Sequence, residues 1–211
     1  MKIKVLASLL GLAVAVLFAS CATELPSVTS WDVPTVAAKT HVTRDDFKKI
    51  TMIKSPDMIF GGDNFVDIYR YNLCAERKDG EEKPTYYLML FTQRGYEQSW
   101  AFWESAADQN GKEFKLNNEC REVYTAGIVQ ELSTADVGRE YVEALRKSGI
   151  GWRIYGQRAT KEFVIAPNLA AGFLQKCDET FGPPQIVKTE NAKRQGPTIE
   201  ELEAMATPLV K

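Results

Sequence analysis

The sequence predicts an α+β domain built on an antiparallel β-sheet, a meander or a sandwich of about six to eight strands, with two helices in its C-terminal half. Alternating apolar and polar residues fill most of the chain between residues 47 and 132, and turn-forming Asp-Gly and Asn-Gly pairs interrupt them. Helical spacing of apolar residues is found only after residue 132. Strands followed by helices along a chain are typical of the α+β class.

The length, composition and charge of the chain indicate what class of protein it is and which partners it can bind. With 211 residues, of which 45% are hydrophobic and 26% charged, the chain can form one globular domain with appendages. The formal net charge of -2 provides no broad basic surface. A nucleic-acid partner is therefore not expected.

The strands are predicted from alternation in the first part of the chain. The predicted strands are residues 47–54, 64–74, 85–92, 99–106, 112–116 and 120–132. The segment 64–74 carries apolar side chains on both faces, which predicts a central strand. Asp79 and Gly80 lie between two alternating runs and predict a hairpin turn.

The helices are predicted after this strand-rich region. Ser133 or Thr134 is a candidate N-cap for a first helix that stops at Gly149. Its apolar residues at helical spacing are Val137, Tyr141, Val142 and Leu145. The next two segments, 150–158 and 161–166, are predicted to form a hairpin. Pro167 then introduces a second helix over residues 168–180.

The last part of the chain, residues 183–211, is predicted to be a tail. It begins with two prolines and ends in a short acidic helix candidate that starts at Thr198. Such a tail usually moves freely or docks weakly on its own domain, and the alternative is a partner-binding segment.

The N-terminus has the pattern of an export signal. Lys2 and Lys4 form a short basic region, and residues 5–18 are an uninterrupted run of apolar and small residues. A membrane span needs roughly 20 apolar residues, so this run is short for one. Residues 1–20 are therefore predicted to be a signal peptide.

The end of this segment resembles the bacterial lipoprotein signal. Ala19 and Ser20 match the small residues that precede the modified cysteine of that family, and Cys21 matches the cysteine itself. Phe18 stands where the family usually has leucine, and Leu17 lies one residue earlier. The alternatives are an ordinary secretory signal or an uncleaved anchor.

The resemblance implies a lipid anchor on the mature protein. A diacylglycerol would be attached to the Cys21 sulfur, the chain cut after Ser20, and the new amino terminus acylated, for example by palmitate. Two or more acyl chains make membrane attachment stable. Ala22 follows the cysteine where the family's sorting rule avoids aspartate, which implies the outer membrane, with the domain facing the periplasm.

The residues after the expected lipid site are predicted to form a flexible tether over residues 21–44. This segment includes Pro26, Pro34 and several Thr and Ser residues, and it shows no apolar periodicity. The globular α+β domain is then predicted to cover residues 45–182.

The assignment of Cys21 to lipid leaves three cysteines for an oxidising compartment. A disulfide between Cys74 and Cys120 is the preferred pairing, because they lie near the ends of two predicted strands. A bridge from either of them to Cys177, or no bridge, is the alternative. No C-x-x-C spacing is present, so zinc binding and thioredoxin-like chemistry are poorly supported.

The sequence predicts no catalytic residue, no cofactor and no metal site. His41 is the only histidine and lies in the predicted tether, so the globular part lacks a Ser-His-Asp or Cys-His arrangement. The acid clusters, residues 45–46, 79–82 and 200–203, fall at element ends, a turn and the tail, where acids are usually solvated. A calcium loop would use Asp63, Asn64 and Asp67 but lacks the closing glutamate.

Aromatic residues supply the candidates for a ligand or partner surface. These are Tyr69, Tyr71, Tyr87, Trp100 and Trp103. Aromatics lie on both faces of the predicted strands, whereas a core on one side of a sheet fills only one face. The second face must meet helices, another sheet, a ligand or a partner.

Two functions remain open on the sequence. The first is a lipid-anchored, non-catalytic binding or scaffold module, or an accessory subunit of an envelope complex, that contacts another envelope protein. The alternative is a periplasmic carrier or enzyme for a small apolar or sugar ligand in an aromatic cleft.

Overall fold

The described part of the chain forms three helices and two antiparallel sheets. The computed structural model describes residues 31–62, 66–95, 99–124 and 127–183. The helices are α1 (Val33–Lys39), α2 (Arg139–Ser148) and α3 (Pro167–Phe181). The predicted signal peptide with Cys21, and the tail after Pro183, lie outside the described residues.

The described residues form eleven strands in the two sheets, which is more than the six to eight strands predicted from the sequence. They are, in chain order, β1 (His41–Asp45), β2 (Ile50–Lys54), β3 (Met58–Gly61), β4 (Ile68–Lys78), β5 (Thr85–Arg94), β6 (Trp103–Asp108), β7 (Glu113–Lys115), β8 (Asn117–Val123), β9 (Val129–Asp136), β10 (Ile150–Gly156) and β11 (Thr160–Ile165). The larger sheet has the order β1-β2-β4-β5-β9-β8, and β3 pairs with the first half of β4, beyond β2. The smaller sheet has the order β11-β10-β6-β7.

The core lies on one face of the larger sheet, the inner face, which bears Tyr71, Leu88 and Leu90. The smaller sheet covers one end of this face, where the rings of Tyr71 and Phe163 stack with centroids 4.6 Å apart. Helix α3 covers the other end, where Phe173 meets the edge of Tyr86 with ring centroids 6.3 Å apart. The two sheets and the helices thus share one hydrophobic core.

Helix α1 is an integral part of this core. Asp32 caps the helix by accepting a hydrogen bond from the Thr35 N–H at 2.9 Å, and Pro34 lies in its first turn. Val36 is fully buried against α3 at Gly172. A Cβ atom at position 172 would lie 2.6 Å from the Val36 Cβ, so glycine permits the close approach of the two helices.

This helix corrects the predicted domain boundary. Both α1 and β1 fall within residues 21–44, the predicted tether, and a helix therefore precedes the sheet as well as following it. A helix of seven residues is too short to show periodicity, and it depends on packing against α3. Residues 22–30 remain between Cys21 and the described domain.

Two strand and helix boundaries also differ from the prediction. The segment 120–132, predicted as one strand, contains parts of β8 and β9, which are connected through Gly127 at a φ of 72°. Ser133 and Thr134 lie in β9 and do not cap a helix, because alternate residues of β9 point into the core. Helix α2 begins at Arg139, after Gly138. The α+β class and the mainly antiparallel architecture are confirmed, as is the central position of β4.

Candidate functional site

The face of the larger sheet opposite to the core is the candidate site. Cross-strand pairing places eight large apolar side chains on it, and we call this surface the open face: Ile50, Met52, Ile59, Ile68, Tyr87, Met89, Phe91 and Leu132. Ile59 is 51% exposed, and the other seven are partly buried. Within the described ranges, the helices and the smaller sheet pack against the inner face.

Apolar side chains and Arg70 together form a row across four strands of the open face. Phe91 on β5 lies between Arg70 on β4 and Leu132 on β9, and Leu132 pairs with Cys120 on β8. The guanidinium carbon of Arg70 lies 4.0 Å from the Phe91 ring centroid. A shallow hollow of about 180 Å³ between Phe91, Cys120 and Leu132 ends the row. The row can accept apolar side chains from another molecule.

A charged cluster borders this row. The Asp57 carboxylate accepts hydrogen bonds from Arg70 at 3.2 Å and from the Asn72 amide, and it forms an ion pair with Lys54 at 3.0 Å. These side chains come from β2, β4 and the connection that follows β2. An apolar centre with a polar rim is the usual anatomy of a protein–protein interface.

Tyr87 and Cys74 lie side by side on the open face. The Tyr87 hydroxyl is 3.4 Å from Glu76 Oε2 and 3.5 Å from Met52 Sδ, and burial raises its pKa. Cys74 is fully buried beneath its neighbours, and this burial raises the pKa of its thiol to about 12. Very little thiolate forms at neutral pH, so Cys74 is poorly suited to be a nucleophile.

The five aromatic residues predicted as a ligand or partner surface do not lie together in the structure. Tyr69, Tyr71 and Trp103 are 2–3% exposed and belong to the core, which corrects their assignment. Tyr71 donates a hydrogen bond to the Val164 carbonyl at 2.7 Å, and the Trp103 indole donates to Thr92 at 3.0 Å, so their polar atoms serve packing.

Of the remaining two, Tyr87 lies on the open face, and Trp100 is partly buried in the connection between β5 and β6. The sequence reasoning missed Met89, Phe91 and Leu132. They alternate with core residues on β5 and β9, and this alternation was the signal that could have identified them.

The described cysteines are free thiols. Cys74 on β4 and Cys120 on β8 are separated by β5 and β9, which is about 14 Å at the usual strand spacing. A disulfide requires Cα atoms within about 7 Å, so this sheet order does not support the predicted Cys74–Cys120 bridge. Cys177 lies on α3 in the core, whereas Cys74 points to the open face.

A second concave surface lies on the outer side of the smaller sheet. This open groove of about 500 Å³ is lined by residues that include Gln109, Gly151, Arg153, Tyr155 and Glu162. Arg153 and Glu162 form an ion pair across the groove, with Arg153 Nε 2.6 Å from Glu162 Oε1. The groove has a mixed polar and apolar lining that includes Trp152, Phe163 and Val164, and it is open to solvent and not an enclosed aromatic cleft.

Asp108 also borders this groove, but its carboxylate is fully engaged. One oxygen accepts the backbone N–H groups of Asn110 and Lys112, and the other accepts the Tyr141 hydroxyl at 2.8 Å. The Tyr141 oxygen in turn accepts the indole N–H of Trp152 at 2.9 Å. This buried chain of hydrogen bonds links α2 to the smaller sheet and holds the two together.

The residues considered for metal and acid-base chemistry are dispersed. His41 is exposed on β1. Asp67 is buried and accepts the Gly95 N–H at 2.6 Å, while Asp63 and Asn64 lie outside the described residues. Over residues 31–62, 66–95, 99–124 and 127–183, no three His, Cys, Asp or Glu side chains are grouped to hold a metal ion.

The helices of the described part of the chain are too short or too polar to cross a membrane. Comparison of the chain with protein-family models, with curated proteins and with solved structures finds no match.

Proposed function

We propose that the chain is a lipid-anchored envelope protein, acylated at Cys21, whose domain binds another envelope protein through the open face. It acts as a non-catalytic binding or scaffold module, or as an accessory subunit of an envelope complex. The observation that carries this proposal is the row of apolar side chains on the open face, which no described element covers.

The chemistry of the open face supports a protein partner. Phe91, Met89 and Leu132 provide adaptable apolar contact area, and Arg70 stacks on Phe91 at 4.0 Å. Aromatic, methionine and arginine side chains are enriched at protein interfaces. The Asp57 cluster provides a polar rim that can fix the orientation of the partner.

The anchor part of the proposal concerns location. We place the mature protein in the outer membrane with its domain in the periplasm, on the resemblance of the segment ending at Cys21 to a lipoprotein signal. Ten residue steps separate Cys21 from Trp31, the first described residue, and a stretched chain of that length reaches at most about 35 Å. The domain then stays close to the bilayer and to other envelope proteins.

The partner is tested by crosslinking and affinity purification of the membrane-attached protein from its cell envelope. Met89→Glu places a charge in the middle of the open face and should abolish recovery of the partner. Val164→Glu is the matched control, because Val164 is exposed on β11 and lies on the opposite sheet. Equal recovery with both variants, or no reproducible partner with the unmodified chain, contradicts the proposal.

The anchor is tested separately by mass spectrometry of the mature N-terminal peptide. We expect this peptide to begin at Cys21 and to carry three acyl chains, as the resemblance implies. An unmodified Cys21, or a different first residue, contradicts lipidation. A Cys21→Ser variant should leave the membrane fraction while the domain keeps its fold.

A further inference from the structure

Phe47 is an apolar side chain that the described fold does not use. It lies at the tip of the β1–β2 hairpin and is fully exposed, at 101% of its reference area. The other exposed large apolar residues, such as Val164 and Val123, lie along strands and have lateral neighbours. The Phe47 ring can be removed from water only by contact with a surface outside the described domain.

The tip that carries Phe47 has a defined structure. Asp45 Oδ1 accepts the backbone N–H groups of Phe47 and Lys48 at 3.0 and 2.9 Å. Lys49 has a φ of 57°, and its carbonyl accepts the Asp79 N–H at 2.8 Å. The hairpin is therefore fastened to the neighbouring β4–β5 turn, and Phe47 projects from a fixed support.

The charged side chains around Phe47 differ in whether they form ion pairs. Arg44 pairs with Asp46 at 2.9 Å and with Asp79 at 2.7 Å, so two acids near the tip are neutralised. Within the described ranges, Lys48 forms no ion pair, and Lys49 attracts the Asp79 carboxylate without a direct ion pair. The carboxylate of Asp45 accepts backbone N–H groups of the turn. An exposed aromatic ring next to two lysines matches the polar boundary of a bilayer, where rings enter the acyl region and ammonium groups meet phosphates.

The position of the tip relative to the expected anchor permits membrane contact. The Trp31 carbonyl accepts a hydrogen bond from Asn168 at the start of α3, and the Phe181 carbonyl accepts one from Arg77 at its end. Arg77 pairs with Thr51, next to the hairpin tip. Helix α3 has 15 residues and is about 22 Å long, and it separates the Trp31 contact from the Arg77 contact beside the hairpin. The stretch between Cys21 and Trp31 reaches about 35 Å, which is longer than this helix, so the anchor and the hairpin tip can meet the same bilayer.

We propose that Phe47 inserts into the surface of the phospholipid bilayer, with Lys48 and Lys49 on the lipid headgroups. The hairpin tip is then a second membrane contact, which fixes the orientation of the domain. This inference rests on the proposed lipidation of Cys21, because a single phenylalanine binds a bilayer too weakly to hold a protein there alone.

The test uses the full chain, lipidated in cells and reconstituted in vesicles of phosphatidylethanolamine and phosphatidylglycerol. Phe47 is replaced by the photocrosslinking residue p-benzoylphenylalanine, which an exposed site accepts without loss of the fold. After irradiation, we expect the peptide containing position 47 to gain the mass of a phospholipid. The same replacement at Val164, which is exposed on the smaller sheet, is the matched control and should give at least about tenfold less lipid adduct.

The outcomes separate this inference from the proposed function. A protein that carries lipid on Cys21 and remains on the vesicles, but gives no more adduct at position 47 than at 164, overturns the membrane contact and leaves the anchor intact. Adducts at position 47 to protein alone, in irradiated cell envelopes, also overturn it. The charge-reversal variant Lys48→Glu/Lys49→Glu should lower the adduct yield on vesicles that contain phosphatidylglycerol.

Discussion

The two faces of the larger sheet differ although the same strands build both. On β5, Leu88 and Leu90 point into the core and are almost completely buried, while Met89 and Phe91 point to the open face and remain partly exposed. The inner face is closed by α3 and the smaller sheet. Apolar side chains on both faces of a strand therefore do not imply that both faces are core.

The prediction with the largest expected change in stability compares two adjacent residues of β5. Leu88→Ala should lower the free energy of unfolding by about 2–5 kcal/mol, because it leaves a cavity in the closed core. Met89→Ala should cost less than about 1 kcal/mol, since its side chain is already partly in water. Urea unfolding of both variants measures the two values. Equal losses would show that the open face is covered in the mature protein.

The second test concerns a charge on the inner face. Glu131 is 1% exposed and accepts the backbone N–H groups of Ala101 at 2.7 Å and Phe102 at 3.0 Å, and Arg121 lies 3.2 Å away. Glu131→Ala leaves these buried donors without an acceptor and should cost about 2–4 kcal/mol.

The control for Glu131 is Glu122→Ala on β8. Glu122 is exposed and accepts the Tyr124 hydroxyl at 2.7 Å, so its removal should change stability by less than about 0.5 kcal/mol. Thermal or urea unfolding of the two variants provides the comparison. If Glu131→Ala were as mild as the control, water would have to replace the carboxylate in the core.

The sequence predicted those parts of the fold that local patterns determine. Strands β4 and β5 and the turn at Asp79 and Gly80 follow from alternation and turn chemistry. The bodies of α2 and α3 follow from apolar spacing. Helix α1 could not be predicted, because its stability depends on the contact of Val36 with Gly172 of α3, far along the chain.

The candidate site was predictable only in part for the same reason. The sequence indicated that β4 and β5 have apolar side chains on two faces, but the choice of the closed face depends on tertiary contacts. Tyr71 was assigned to a ligand surface, and the return of β11 places Phe163 against it. Without the position of β11, Tyr71 and Tyr87 could not be distinguished.

The three described cysteines should differ in the rate at which a thiol reagent modifies them. Cys120 is partly exposed at the edge of the open face, whereas Cys74 and Cys177 are completely buried. Iodoacetamide should therefore label Cys120 first in the folded protein, and the other two only after unfolding. Mass spectrometry of labelled, unreduced peptides follows each site. A Cys74–Cys120 disulfide in the native protein would contradict the sheet order.

The smallest predicted effect is a change in how the free energy of unfolding depends on pH. It distinguishes the buried Cys74 thiol from the partly exposed Cys120 thiol. Burial raises the pKa of Cys74 to about 12, so the folded state keeps a proton that the unfolded chain releases near pH 8.5. Cys74 therefore contributes its full stabilising effect below that pH, and this contribution falls by up to about 1.4 kcal/mol per pH unit as the pH rises above it. Urea unfolding between neutral and alkaline pH should show a shallower decline for Cys74→Ala than for the unmodified chain. The hydrogen bond to Glu122 also raises the pKa of Cys120, but water screens this partly exposed thiol, so Cys120→Ala should change the slope less than Cys74→Ala does. A larger slope change in Cys120→Ala would place the main titrating thiol at β8.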